Sequence, residues 1–188
     1  VERSLWDTMT GAVKGAHESI GAEAGGVLMP SVYPFLNGKP IGFAQLRPVY
    51  QGKDAAQGIA ELSFLAAAVP VDEVFVAWES QDIAVACELP PLYPSSCLNL
   101  LRASPEGMVL RRMPYEERFL NGRTAEGMSR VGFDWLHQEP DIRDPELEPA
   151  IDALVGFCWD PLDLDSDDPL LTTHAYMRSL GYTVNLFA

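Results

Sequence analysis

Asp160, Asp163, Asp165, Asp167 and Asp168 place five carboxylates within nine residues, and Asp144, Glu148 and Asp152 stand four apart just upstream. Carboxylates at alternate positions from Asp163 supply the hard oxygens that a hard cation takes, as at the opening of a calcium-binding EF-hand loop. The match then breaks. The sixth position is Asp168 where such a loop needs glycine for its turn, and the twelfth is His174 where it needs a bidentate Glu. A weak divalent site at Asp163, Asp165 and Asp167 is the most metal chemistry this stretch offers, and a solvated acidic loop is the plainer reading. The spacing of Asp144, Glu148 and Asp152 lines them along one face of a helix. Like charges there cost about 0.2–0.5 kcal/mol per pair unless a cation or a basic partner neutralises them. Trp135 and Trp159, with Phe133 and Phe157, bracket the region. Aromatic rings beside carboxylates can clasp Arg or Lys side chains of a partner, although such residues more often anchor a core.

The acidity is local. Twelve of the 27 carboxylates fall in residues 134–168, where Arg143 is the one basic residue. Residues 102–130, with six Arg against four Glu, are the least acidic part. A field of this kind attracts cations and basic surfaces and repels nucleic acid and anionic membranes. A sequence pI near 4.4 is the poorest fit to a nucleic-acid surface. The longest apolar run, 59–71, is interrupted by Glu61, Ser63 and Pro70, and none approaches the roughly 18–20 residues of a membrane span. The first residues, Val-Glu-Arg-Ser-Leu-Trp-Asp, lack the apolar core of a signal peptide. Cys87, Cys97 and Cys158 are odd in number and form no Cys-x-x-Cys pair, which points to reduced, buried thiols in a cytoplasmic protein.

Familiar catalytic templates are absent from the sequence: there is no G-x-S-x-G, phosphate-binding loop, G-x-G-x-x-G, H-E-x-x-H or His-x-His. His17, His137 and His174 have no partners at ligand spacing. His174 aligns with Leu170 and Met177 at i, i+4 and i+7, the expected buried face of a helix, so it reads as a core histidine. Arg111 and Arg112 suggest an anion clamp, but adjacent residues on a strand point to opposite faces.

The positioning elements follow from periodicity and turn chemistry. Leu5, Met9, Val13, Ala16 and Ile20 form a helical stripe, with Glu2, Asp7, Lys14 and Glu18 off it. Asn37-Gly38 between apolar runs 27–36 and 41–50 predicts a hairpin. Its prolines, Pro30, Pro34, Pro40 and Pro48, predict that part of it lies at a sheet edge. Asp54 can cap a helix through about Ala68. Residues 73–78 and 83–89 predict a second hairpin through Glu79-Ser80-Gln81-Asp82, and 97–103 with 108–113 a third through Ser104-Pro105-Glu106-Gly107. Residues 115–120 offer a short helix and Asn121-Gly122 a turn. Asp144-Pro145 and Asp168-Pro169 both read as helix starts, and residues 182–187 as a final strand.

These elements predict one α+β domain over residues 1–188, with a mostly antiparallel sheet from about three hairpins. An N-terminal helix, one middle helix and two C-terminal helices pack against it. The functional expectation is a non-enzymatic binding or adaptor domain, with no cofactor, whose acidic surface contacts a basic protein partner. Asp144, Glu148, Asp152, Trp159, Asp160, Asp163, Asp165 and Asp167 are its contact residues. Two readings compete: a carboxylate-based hydrolase, with or without a divalent metal, and a structural subunit of a larger assembly. The subunit would dock through the proline-rich hairpin and the Trp6-bearing helix.

Overall fold

Asn37 and Gly38 adopt left-handed backbone, with φ of 52° and 74°, and join β1 (Ser31–Leu36) to β2 (Lys39–Pro40) in the tight hairpin that Asn-Gly encodes. The computed structural model describes residues 3–187; Glu2, expected off the helical stripe, lies outside them. Beyond the hairpin come β3 (Gly42–Gln45), β4 (Glu73–Glu79), β5 (Cys97–Ser104), β6 (Gly107–Arg123), β7 (Ser129–Trp135), β8 (Ile142–Arg143) and β9 (Thr183–Leu186). All pairings are antiparallel, in the order β7-β6-β5-β4-β1-β3-β9, with β2 beside β1 and β8 beside β6.

Both faces of the sheet are covered. α1 (Leu5–Ala24) lies on one face, where Met9 and Val13 pack with Phe75, Leu98, Leu100, Tyr115 and Phe133. Ser4 caps it by accepting from the Asp7 amide, and Gly25, at φ 70°, ends it. Gly21 is needed for close approach, since a Cβ there would lie 2.7 Å from both the Phe133 ring and the Val131 carbonyl. The other face carries α2 (Lys53–Glu61), α3 (Phe64–Ala67), α4 (Ser80–Cys87), α5 (Pro149–Cys158) and α6 (Pro169–Ser179). Val74, Val76 and Trp78 of β4 point to this second core and Phe75 and Ala77 to the first, which explains the nearly unbroken apolar run of that strand.

The α+β class and the antiparallel sheet agree with the expectation, and several elements differ. Part of the hairpin does lie at an edge, since β2, with Pro40, pairs with β1 alone among the described residues, but β1 itself is an interior strand. Its Pro34 carbonyl accepts from the Ile41 amide, so the missing Pro N–H falls on the side where the ladder already breaks between β2 and β3. The predicted second hairpin does not form, because residues 80–87 fold as α4. The helix from Asp54 stops at Glu61 and resumes as the short α3, and Gly52 rather than Asp54 is its N-cap. Residues 115–120 are strand, not helix. β6 runs past the end of β5 and continues as a two-stranded arm with β7, Phe119 exposed upon it. Asn121-Gly122 marks the register shift of this arm rather than its turn.

The helix start at Asp144-Pro145 is also corrected. α5 begins four residues later, with Glu148 at the cap and Pro149 as first residue. Asp144 instead has φ 46°, its amide donates to the Met108 carbonyl, and β8 just before it pairs with Val109 and Leu110. Tertiary pairing with β6 thus overrides the stronger local signal at Asp144-Pro145 in favour of the weaker one at Glu148-Pro149.

Candidate functional site

The acidic loop is built on an alternation. Leu162, Leu164 and Ser166 are half-buried, whereas Asp163, Asp165 and Asp167 are exposed. The Leu162 amide donates to the Ala67 carbonyl at 3.1 Å, which pins this strap to the end of α3. Its far end is fixed by Asp168, whose side chain accepts from the Leu171 amide at 3.1 Å as the predicted cap of α6. Asp168→Ala is expected to cost about 1 kcal/mol in thermal or denaturant melts, the usual loss of a cap.

Apolar hollows surround the strap. One of about 260 Å³ lies beside Phe64, Phe157 and Leu162, with Asp160 and Glu61 on its rim. Another of about 320 Å³ is lined by Phe64, Leu162, Leu164 and Tyr176. A third of about 410 Å³ takes in Trp159, Pro161, Leu162 and the Pro70 turn. Leu162 borders all three. Phe157 and Tyr176 remain 50% and 54% exposed, a large apolar area beside a row of carboxylates.

The expected contact residues do not form one surface. Asp160, Asp163, Asp165 and Asp167 share the strap, and Trp159 lies at its foot. Asp144 is off the helix and exposed beside β6, so the line through Asp144, Glu148 and Asp152 does not exist. Asp152 is exposed in the first turn of α5. Glu148 turns inward, where burial pushes its carboxyl above the usual range while the Trp78 indole and the Arg112 guanidinium pull it back. Among the described residues no three His, Cys, Asp or Glu side chains are grouped to hold a metal ion, so geometry gives the weak site at Asp163, Asp165 and Asp167 no support. No helix among them is long and apolar enough to cross a membrane.

Sequence reasoning missed a second polar cluster, around α4. Glu79 is buried and caps α4 by accepting from the Asp82 amide at 2.7 Å, and it also accepts from the Cys97 amide. Burial raises the pKa of both Glu79 and Asp82. Cys87 is half-exposed, and burial followed by the Glu148 and Asp82 charges holds its thiol high. Burial pushes Cys97 and Cys158 up to about 12. Thiols held protonated in this way are poor nucleophiles. Register was the available signal: Trp78, Asn99 and Arg112 are directly cross-strand neighbours.

The two adjacent arginines do separate to opposite faces, as expected. Arg111 reaches Asp141, Asp7 and Thr10 under α1, while Arg112 stacks over the Tyr93 ring on the other face. The histidine expectation is corrected. His174 is only half-buried, and the buried histidine is His17, on the α1 stripe with Met9 and Val13. Trp6 is engaged internally, over Arg111 and donating to Asp141. No protein-family model, curated protein or solved structure matches this chain.

Proposed function

We propose that the chain is a non-enzymatic binding or adaptor domain, acting in the cytoplasm, that docks a basic, amphipathic segment of a partner protein along residues 157–167. The observation that carries this reading is the alternation of the strap. It turns Asp163, Asp165 and Asp167 outward in a row while Leu162 and Leu164 leave apolar hollows on either side, beside exposed Phe157 and Tyr176. A segment with Lys or Arg on one edge and bulky apolar side chains on the other meets both features. The charges steer and orient, and the apolar anchors supply most of the affinity.

The test uses a helical peptide of Leu and Lys as probe. Wild-type protein is expected to bind it with an affinity that falls steeply between low and physiological salt. The triple variant Asp163→Asn, Asp165→Asn, Asp167→Asn is expected to bind about tenfold more weakly. That corresponds to three exposed pairs of about 0.2–1 kcal/mol each. Its melting temperature should stay close to wild type, since exposed substitutions usually stay within about 0.5 kcal/mol. Equal binding by the triple variant, or binding indifferent to salt, sinks the proposal.

A further inference from the structure

Residues 116–123 of β6 lie beyond its pairing with β5 and have β7 alone as a strand neighbour, so the arm is a two-stranded ribbon at one end of the sheet. The arm is braced. Gly21 of α1 packs against the Val131 carbonyl and the Phe133 ring, and the Arg130 guanidinium donates to the Ala22 and Asn121 carbonyls, both at 2.9 Å. A large apolar side chain near the tip has no core to enter: Phe119 is 83% and Met128 58% exposed. Single apolar residues are common on surfaces. A ring held on a braced ribbon differs in that docking costs it little conformational freedom.

Register sets a charge beside this ring. Phe119 pairs with Val131 and Arg123 with Ser129, and those two β7 residues are one pleat repeat apart, about 7 Å, so Phe119 and Arg123 share a face. Residues 118–130 carry three Arg against one Glu. Arg123 is exposed and donates to the Gly127 carbonyl, and among the described residues it has no carboxylate within ion-pair distance. The arm therefore offers what the strap lacks, a bulky apolar side chain next to an unneutralised Arg.

The arm cannot serve the strap of its own chain. β7 and β9 end a path of seven strands, about 29 Å apart at about 4.8 Å per strand. The strap leads into α6, which packs on β9, whereas Phe119, opposite Val131, points to the face that carries α1.

We propose, resting on the strap as a dock for a basic, amphipathic segment, that its partner is a second copy of this chain. The Phe119 ring of one copy enters the hollow lined by Phe64, Leu162, Leu164 and Tyr176 in the next, and Arg123 meets Asp163 and Asp165. Arm and strap are different surfaces, so the contact is heterologous and copies add head to tail, into a ring or an open filament.

Sedimentation velocity over a range of protein and salt concentrations tests this. The wild-type mass is expected to rise above the 20.6 kDa of one chain as protein concentration rises, and to return to it in high salt. An arm variant, Phe119→Ser with Arg123→Ser, and a strap variant, Asp163→Lys with Asp165→Lys, should each stay monomeric. All four positions are exposed, so both variants should melt as wild type does. Mixed together, they should form a dimer that stops at one to one, because one retains the strap and the other the arm. The Leu and Lys peptide should still bind the arm variant. A monomeric wild type that binds the peptide overturns self-docking and leaves the strap reading standing; a wild type that does not bind the peptide overturns both. A strap variant that still associates, or a mixture that stays monomeric, also overturns the proposal.

Discussion

Arg111→Ala is expected to lower the stability of the fold by about 2–3 kcal/mol, read as a shift in urea midpoint with unchanged slope. The guanidinium holds both oxygens of Asp141, at 3.0 and 2.9 Å, reaches Thr10 Oγ1 at 2.9 Å and Asp7 at 3.3 Å, and lies 4.5 Å over the Trp6 ring. It is the buried member of the cluster, its side chain 11% exposed against 31% for Asp141 and 60% for Asp7. Breaking a fully buried pair costs about 3–5 kcal/mol. The lower figure expected here reflects carboxylates that can turn to water once the arginine is gone. Arg118→Ala is the contrast. Its pair with Asp134 has a similar distance, 3.0 Å, but side chains 55% and 59% exposed, and its loss should cost less than about 1 kcal/mol. If the two variants melt alike, burial is not what sets the value of the Arg111 cluster.

Acidification from pH 6.5 to about 4 should remove about 3 kcal/mol of stability in wild type relative to His17→Asn. His17 Nδ1 accepts from the Leu28 amide at 3.0 Å, so the neutral ring carries its proton on Nε2. The ring stacks 4.1 Å from Phe133 and sits edge-on to Tyr115. A second proton would set two donors against each other in an apolar slot, and burial holds the pKa down to about 4. The folded value lies below the unfolded one, so between them the unfolded chain binds more protons. Stability is therefore full above about pH 6.5, falls as pH falls, and levels near 4; the difference of about 2.5 units sets the size. Asn offers an acceptor at the Nδ1 position without a charge to gain. Buried Glu79, with its raised carboxyl, acts in the opposite sense in the carboxylate range. The comparison between variants cancels that contribution. Asp141 and Asp7, held low first by Arg111 and by Ser4 respectively, lose their share only at more acid pH. Parallel urea midpoints for the two proteins from pH 7 to 4.5 would rule the histidine out as the origin.

What could be read from the sequence was what local chemistry decides. Asn37-Gly38, Ser104-Pro105-Glu106-Gly107 and Asp168-Pro169 specify a turn, a turn and a helix start within four residues, and the chain follows each. Asp144-Pro145 is the better cap by type, yet the helix starts at Glu148-Pro149 one turn later, because β8 pairs with β6, a strand distant in sequence, and holds Asp144 outside the helix. Residues 80–87 satisfy two periods at once. Ile83 and Val85 alternate as in a strand, yet Ser80, Ile83, Ala84 and Cys87 repeat as in a helix; Ser80, Ile83 and Ala84 are buried, whereas Val85 is exposed. The decisive signal, a buried Glu79 serving as cap, is weak locally because Glu is a poor cap by type. The candidate site divides the same way. The carboxylates of the strap are visible in sequence, whereas Trp78, Arg112 and Glu148 come together only through strand register and the fold of a distant segment.

The alternation in residues 162–167 also divides labour along the chain. Even-numbered positions carry the packing: Leu162 fills the junction of three hollows, Leu164 the next, and Ser166 bonds to Thr172. Odd-numbered positions touch little and set only the face shown to the outside. Mutation can therefore rewrite the charge of this ridge, residue by residue, at almost no cost to the fold. A surface so cheaply rewritten can change the company it keeps while the scaffold beneath stays the same.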